Sequence, residues 1–193
     1  MPSPILLRLP SVFTRADAKQ HGISNRRLYG WRDDGLVEML GRGLFMKADT
    51  EGDPDLIEVA ARAPGATLCL ISALARHELT DVIPGGIHVA IERNRRPPRT
   101  AAPVIWHRFD EATFAIDRDE IEVTAGYRLG LYGPTRSVVD VFRLRHIQGQ
   151  ETAIEALRRW LDRPGNQPSA LLAMVRHFPM AEKSIRSALE ILL

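Results

Sequence analysis

The chain of 193 residues contains one cysteine and three lysines. The lone thiol, Cys69, excludes an internal disulfide framework and any cysteine-based zinc site. It lies in the apolar run ATLCLISAL, so a buried, inert thiol is expected. The lysines are Lys19, Lys47 and Lys183, and none falls in the strand-like stretches between residues 87 and 132. No apolar run approaches the ~20 residues needed to span a bilayer. The opening MPSPILLRLP lacks the basic leader and long apolar region of a signal peptide, so a cytoplasmic protein is expected. The six histidines are scattered, with no HExxH or comparable metal-ligand spacing. At 45% hydrophobic and 26% charged, the composition is that of an ordinary globular protein with room for one large domain or two small ones.

What the chain does have is an uneven distribution of charge. The formal net charge is only +2, but residues 1–50 hold eight Lys/Arg against five Asp/Glu. Residues 51–193 hold eighteen against nineteen. The positive excess therefore sits in the first quarter, as expected for a part that meets phosphates.

That quarter is also rich in helix punctuation. A short apolar segment, Ile5 to Leu9, is closed by Pro10. In TRADAKQHG, Thr14 with Asp17 forms a capping-box pattern, and Gly22 stands where a helix stops. Ser24 caps the next helix, Ile23 and Leu28 hold the positions of a hydrophobic staple, and Gly35 is the second stop. LVEMLGRGLFMK then reads as a hairpin turning at Gly41-Arg42-Gly43. Two capped helices and an arginine-tipped hairpin follow the plan of a winged helix-turn-helix. The stretch DTEGDP at 49–54 reads as a linker.

Within the second helix, Ser24, Asn25, Arg26 and Arg27 are polar or cationic groups able to reach base edges and phosphates. Tyr29 adds a hydroxyl for a phosphate, and Arg32 shares its outward face. Leu28 and Trp31 belong to the core face. Arg42 is the natural phosphate or minor-groove contact of a wing. The competing interpretation is a solvated basic helix with ion pairs to Asp33 and Asp34. A second basic cluster, ERNRRPPRT, carries Arg93, Arg95, Arg96 and Arg99 on a loop, where an accessory basic patch and a plain solvated loop are equally good readings.

Beyond the linker, helices are expected over Asp55–Arg62 and Ile71–Leu79, and strands over 87–93, 104–109, 121–125 and 127–132. A helical tail follows from Pro134, with PTRSVVDVFRLRHI read as one helix. His88 and His107 fall in adjacent predicted strands, where packing is their ordinary role. Glu92, Asp110 and Glu111 lie near strand ends, the location of metal-dependent nuclease acids. No lysine accompanies them, and GPTRS lacks the glycines and lysine of a P-loop.

Three stretches resemble the AbiEi-type antitoxins, the antitoxin halves of type IV abortive-infection toxin–antitoxin pairs. SVFTRADAKQHGISNRRLYGWRDDGLVEMLGRGLFMK is similar to their N-terminal winged domain. LISALARHELTDVIPGGIHVAI is similar to a Ser-Ala-Leu…His-Gly-Leu-Thr…Pro segment. LYGPTRSVVDVFRLRHIQGQETAIEALRRWLDR resembles their Pro-x-Arg/Lys-Thr-Val-x-Asp-Cys-Phe-Arg-x-Arg signature, matched here by Arg136, Asp140, Arg143 and Arg145. The chain departs from the pattern at Glu78, where glycine is usual, at Ser137 for threonine, and at Val141 for cysteine.

The expectation is thus an α+β protein. A winged helix-turn-helix occupies residues 1–50, and residues 55–193 form an α/β domain, a small mixed sheet with flanking and C-terminal helices. The resemblance implies an autorepressor that binds operator repeats in double-stranded DNA and counters a nucleotidyltransferase-like toxin, as a monomer in solution or a weak dimer on DNA. For the signature residues, toxin contact and a structural Arg–Asp network both stay open. No catalytic residue, cofactor, metal or membrane partner is expected. The alternatives are a DNA-directed, metal-dependent nuclease and a solitary ligand-sensing winged-helix regulator.

Overall fold

The computed structural model describes residues 4–193. The first three residues of the opening MPSPILLRLP lie outside them. The structure is mixed α+β, and its contacts divide it into two units. The first runs to Pro64 and includes Pro98–Pro103 and Glu122–Leu129; the second holds Gly65–Pro97, Val104–Ile121 and Gly130–Leu193.

The first unit begins with α1 (Pro4–Leu7), β1 (Val12–Thr14), α2 (Arg15–Gln20) and α3 (Asn25–Asp33). It continues through β2 (Val37–Gly41), β3 (Leu44–Lys47) and α4 (Pro54–Arg62). The caps expected from sequence are present. Thr14 Oγ1 accepts from the Asp17 amide at 3.2 Å, and Asp17 Oδ2 accepts from the Thr14 amide at 2.7 Å, which completes a capping box. Ser24 Oγ accepts from the Arg27 amide at 3.3 Å. Gly35, at φ +70°, supplies the left-handed residue that ends α3.

The strands form a three-stranded antiparallel sheet of order β1-β3-β2. β1 was not evident in the sequence; three residues carry too little alternation to be read. Both faces of this sheet are covered. Phe13 and Phe45 pack with Leu28 and Trp31 on one side, and Val12, Leu44 and Met46 pack with Ile57 of α4 on the other. This explains the unbroken apolar run Leu44-Phe45-Met46, since a strand buried on both faces has no polar side to show.

The second unit carries β4 (Thr67–Leu68), α5 (Leu70–Arg76), β5 (Ile87–Glu92), β6 (Val104–Phe109) and α6 (Glu111–Phe114). It also includes most or part of β7 (Arg118–Thr124) and β8 (Tyr127–Tyr132). The strand order is β6-β5-β4-β8-β7, with β5/β6 and β4/β8 parallel and β4/β5 antiparallel. α7 (Pro134–Arg143), α8 (Arg145–Gln148), α9 (Gln150–Leu161), α10 (Pro168–Val175) and α11 (Pro179–Leu192) complete it. α7 is the hub. Every residue from Arg136 to Phe142 is buried, and the helix packs on α5, α9, α10 and α11.

One expectation is corrected here. The segment 134–147 is not one helix: Leu144 leaves helical dihedrals (φ −107°, ψ 23°) and packs beside Phe109 and Tyr132. Tertiary burial therefore breaks a helix that has no internal glycine or proline. The apolar run around Cys69 holds β4, which lies in the middle of the sheet, and Cys69 is fully buried as expected.

Glu78, the departure from glycine, sits at φ +55° just past α5. The Leu79 amide donates to the Leu74 carbonyl at 2.8 Å, a helix-ending bond that needs a left-handed residue between. A side chain with a Cβ is disfavoured there. Glu78→Gly is expected to raise unfolding stability by about 0.5–1 kcal/mol and Tm by about 2 °C, read by thermal melts. An unchanged or lowered Tm would remove the assignment of strain to this position.

Candidate nucleic-acid interface

α3 divides cleanly into two faces. Leu28 and Trp31 are buried against α1, α2 and the three-stranded sheet, whereas Ser24, Asn25, Arg26 and Arg27 are exposed in its first turn. The Arg27 guanidinium lies 5.3 Å from the Trp31 ring centroid, a cation–π contact that orients its stem. The turn also presents the helix N-terminus, whose amides add positive potential to the two arginines.

Tyr29 and Arg32 are less simply placed. The Tyr29 ring meets Phe45 edge-on, is half-buried, and lies between the guanidiniums of Arg15 (5.9 Å) and Arg32 (4.9 Å). Its hydroxyl accepts from Arg15 Nη2 at 2.8 Å. Arg32 also forms an ion pair with Asp33 at 2.7 Å, the local pairing that the competing interpretation anticipates, though with the adjacent residue. Arg15 is the residue that sequence reasoning missed. It stands fourteen positions before its partner, and no helical spacing joins them.

Arg42 is exposed at the turn between β2 and β3. The turn is pinned from below by Glu58 of α4, which is fully buried. Glu58 Oε1 accepts from Arg62 Nε at 2.6 Å, and Oε2 accepts from the Ala101 and Ala102 amides, both at 2.8 Å. Arg62 Nη2 in turn donates to the Arg42 carbonyl at 3.2 Å. Gly41 permits this approach, because a Cβ there would stand 2.1 Å from Glu58 Oε1. Arg99 counts with the first unit, and Arg93, Arg95 and Arg96 with the second, where Arg95 pairs with Glu92 at 2.9 Å.

The signature residues of α7 have a different character. Arg136 and Asp140 have no solvent exposure. Arg136 Nε donates to Asp140 Oδ2 at 2.8 Å, and its Nη1 donates to the carbonyls of Thr113 and Ile116 at 2.9 and 3.3 Å. Its guanidinium stacks over Phe178 (4.0 Å) and Tyr132 (4.5 Å). Arg143 Nη2 approaches Asp140 Oδ1 at 2.9 Å, close enough for an ion pair but poorly aligned for a hydrogen bond. Burial pushes the Asp140 carboxyl above its ordinary value, and the two guanidiniums pull it down. Arg145 stands apart from these three; its Nη1 donates to the Phe142 carbonyl at 2.9 Å, and it lines an open groove.

His88 and His107 do meet. Their rings stack at 5.1 Å with Nδ1 of His88 3.0 Å from Nε2 of His107, next to Phe109. At that spacing one ring donates to the other, with the direction set by the tautomers. Burial, the adjacent His88 and the Arg143 charge lower the His107 pKa from 6.5 to about 4. The three carboxylates considered for a nuclease are not assembled into a site: Glu92 is paired with Arg95, and Asp110 caps α6 by accepting from the Ala112 amide. Among the described residues no group of three or more His, Cys, Asp or Glu side chains could hold a metal ion. None of their helices is long and apolar enough to cross a membrane.

Two outcomes follow from these contacts. Glu58→Ala is expected to cost about 3–5 kcal/mol in urea unfolding, because Arg62 and two amides lose their acceptor together. A loss below about 1 kcal/mol would show that the carboxylate is dispensable. The depressed His107 pKa contributes stability that is fully present above pH 6.5 and is lost as the pH falls toward about 4. Between pH 6.5 and 5, His107→Gln is expected to flatten the dependence of unfolding free energy on pH. The same slope in wild type and variant would refute the linkage.

No curated protein matches the chain. The stretch that builds α1 through most of β3 does have a counterpart: residues 4–46 match the family model of the AbiEi antitoxin transcriptional regulators.

Proposed function

We propose that the chain is an antitoxin-type transcriptional autorepressor that binds double-stranded operator DNA of its own operon. In this reading residues 1–50 form a winged helix-turn-helix, with α2 and α3 as the helix pair and the β2–β3 hairpin as the wing. α3 enters the major groove, where Ser24, Asn25, Arg26 and Arg27 reach base edges and adjacent phosphates. Tyr29, Arg32 and Arg15 line the approach to the backbone, and Arg42 contacts phosphate from the wing. Arg93, Arg95, Arg96 and Arg99 are accessory cations. Residues 55–193 counter a nucleotidyltransferase-like toxin, and the Arg136–Asp140–Arg143 cluster serves by fixing the shape of that domain. The protein acts in the cytoplasm, as a monomer in solution or a weak dimer on DNA.

The observation that carries this reading is the division of α3: a buried Leu28/Trp31 face opposite an exposed, basic first turn. The match over residues 4–46 supports it.

The test is fluorescence anisotropy with duplex DNA from upstream of the coding sequence. Arg26→Ala or Arg27→Ala is expected to weaken binding by about 1–3 kcal/mol and to relax sequence preference. Arg42→Ala should weaken binding to all sequences alike and reduce the slope of log affinity against log salt by about 1. Unchanged binding in both α3 variants would sink the assignment of α3 as the reading helix.

A further inference from the structure

α11 carries more apolar surface than its core packing uses. One face, Ala181, Ile185, Ala188 and Leu189, is buried against α7 and its neighbours. A second stripe, Met180, Lys183/Ser184, Ser187 and Ile191, repeats at the 3–4-residue spacing of a helix face. That stripe lines an open groove of about 530 Å³, with Ile154 of α9 and Arg145 of α8 on the other wall. Met180 is 82% exposed and Ile191 83%. Small residues, Ser184, Ser187 and Ala188, lie between them, so a second helix could approach the α11 backbone closely.

The charges lining this groove are of one sign. No carboxylate lines it. Neighbouring cations are neutralised: Arg186 by Glu182 at 2.8 Å, and Arg159 by Glu155 at 2.6 Å and by Asp81. Among the described residues, Lys183 and Arg145 have no carboxylate partner. Two unneutralised cations flank an apolar, concave strip.

We propose that this groove docks an amphipathic helix of a partner protein, with its apolar face on Met180, Ile154 and Ile191 and acidic side chains meeting Lys183 and Arg145. A second copy of this chain is a poor occupant. A two-fold contact of the groove with itself would bring no carboxylate to either cation. A lipid surface fits less well, because the apolar groups line a concave groove. The proposal is independent of the DNA reading, which concerns the first unit.

The test uses the full chain with methyl-labelled Met and Ile, and a synthetic 18-residue helical peptide with leucines at i, i+3/i+4 and i+7 flanked by glutamates. The control peptide has lysines in place of the glutamates. The acidic peptide is expected to shift the methyl resonances of Met180, Ile154 and Ile191. Lys183→Glu should weaken it at least tenfold while leaving DNA affinity and Tm unchanged. Any of four results overturns the proposal. These are no shift at millimolar acidic peptide, equal binding of both peptides, an unaffected Lys183→Glu variant, and methyl shifts that follow protein concentration or anionic vesicles in place of peptide.

Discussion

Asp140 lies fully buried on α7, and its two oxygens meet the guanidiniums of Arg136 and Arg143 at 2.8 and 2.9 Å. A lone carboxylate at that depth would be prohibitively costly, so the helix must keep both arginines inside with it. Arg136 Nη1 donates to the carbonyls of Thr113 and Ile116, which ties α7 to α6 and the turn after it. The aromatic rings of Phe109, Tyr132 and Phe178 surround the two guanidiniums and supply cation–π contacts where ordinary acceptors are missing. Because α7 also packs on four other helices, the position of one carboxylate propagates through the whole helical layer. Such a cluster is weak evidence for stability, since apolar replacements of equal volume often do as well.

Glu58 applies the same constraint in the first unit, at smaller scale. It too is a buried acid paired with an arginine four residues on, and its second oxygen takes two backbone amides. The chain thereby links α4, the β2–β3 turn and the segment around Ala101, which are distant in sequence. The hairpin is not a free flap. Its inner strand β3 is covered on both faces, and its turn is held through Gly41 and the Arg42 carbonyl, which leaves the Arg42 side chain exposed at the tip.

What could be read from the sequence were features with a local cause. Thr14, Ser24 and Pro134 start helices through groups within three residues, and Gly22 and Gly35 stop them through their own dihedrals. The strands β5, β6 and β8 carry enough β-branched and aromatic residues to be recognised. What could not be read depends on contacts far along the chain. β4 is two residues long and exists because β5 and β8 flank it. The break at Leu144 is set by the Phe109 cluster. Glu58 looks like any acid on an amphipathic helix until Ala101 and Ala102 arrive above it, 43 and 44 residues later. In the candidate interface, the buried and exposed faces of α3 follow from spacing alone, whereas the Arg15–Tyr29 contact does not.

The charges along α3 supply a last physical argument. A helix N-terminus carries partial positive charge, so acids are favoured in the first turn and bases in the last. α2, α4 and α9 follow that rule, with Asp17, Asp55 and Glu151 in their first turns and Lys19, Arg62 and Arg158/Arg159 in their last. α3 reverses it at its start: its first turn holds no acid and presents Arg26 and Arg27. Each misplaced charge costs roughly 0.3–1 kcal/mol at an exposed position. Arg27 offsets part of that cost through its contact with the Trp31 ring at 5.3 Å, while both arginine side chains stay exposed. An anion at this turn would meet the amides and both guanidiniums together, so the feature that weakens the free helix is the one a phosphate backbone would use.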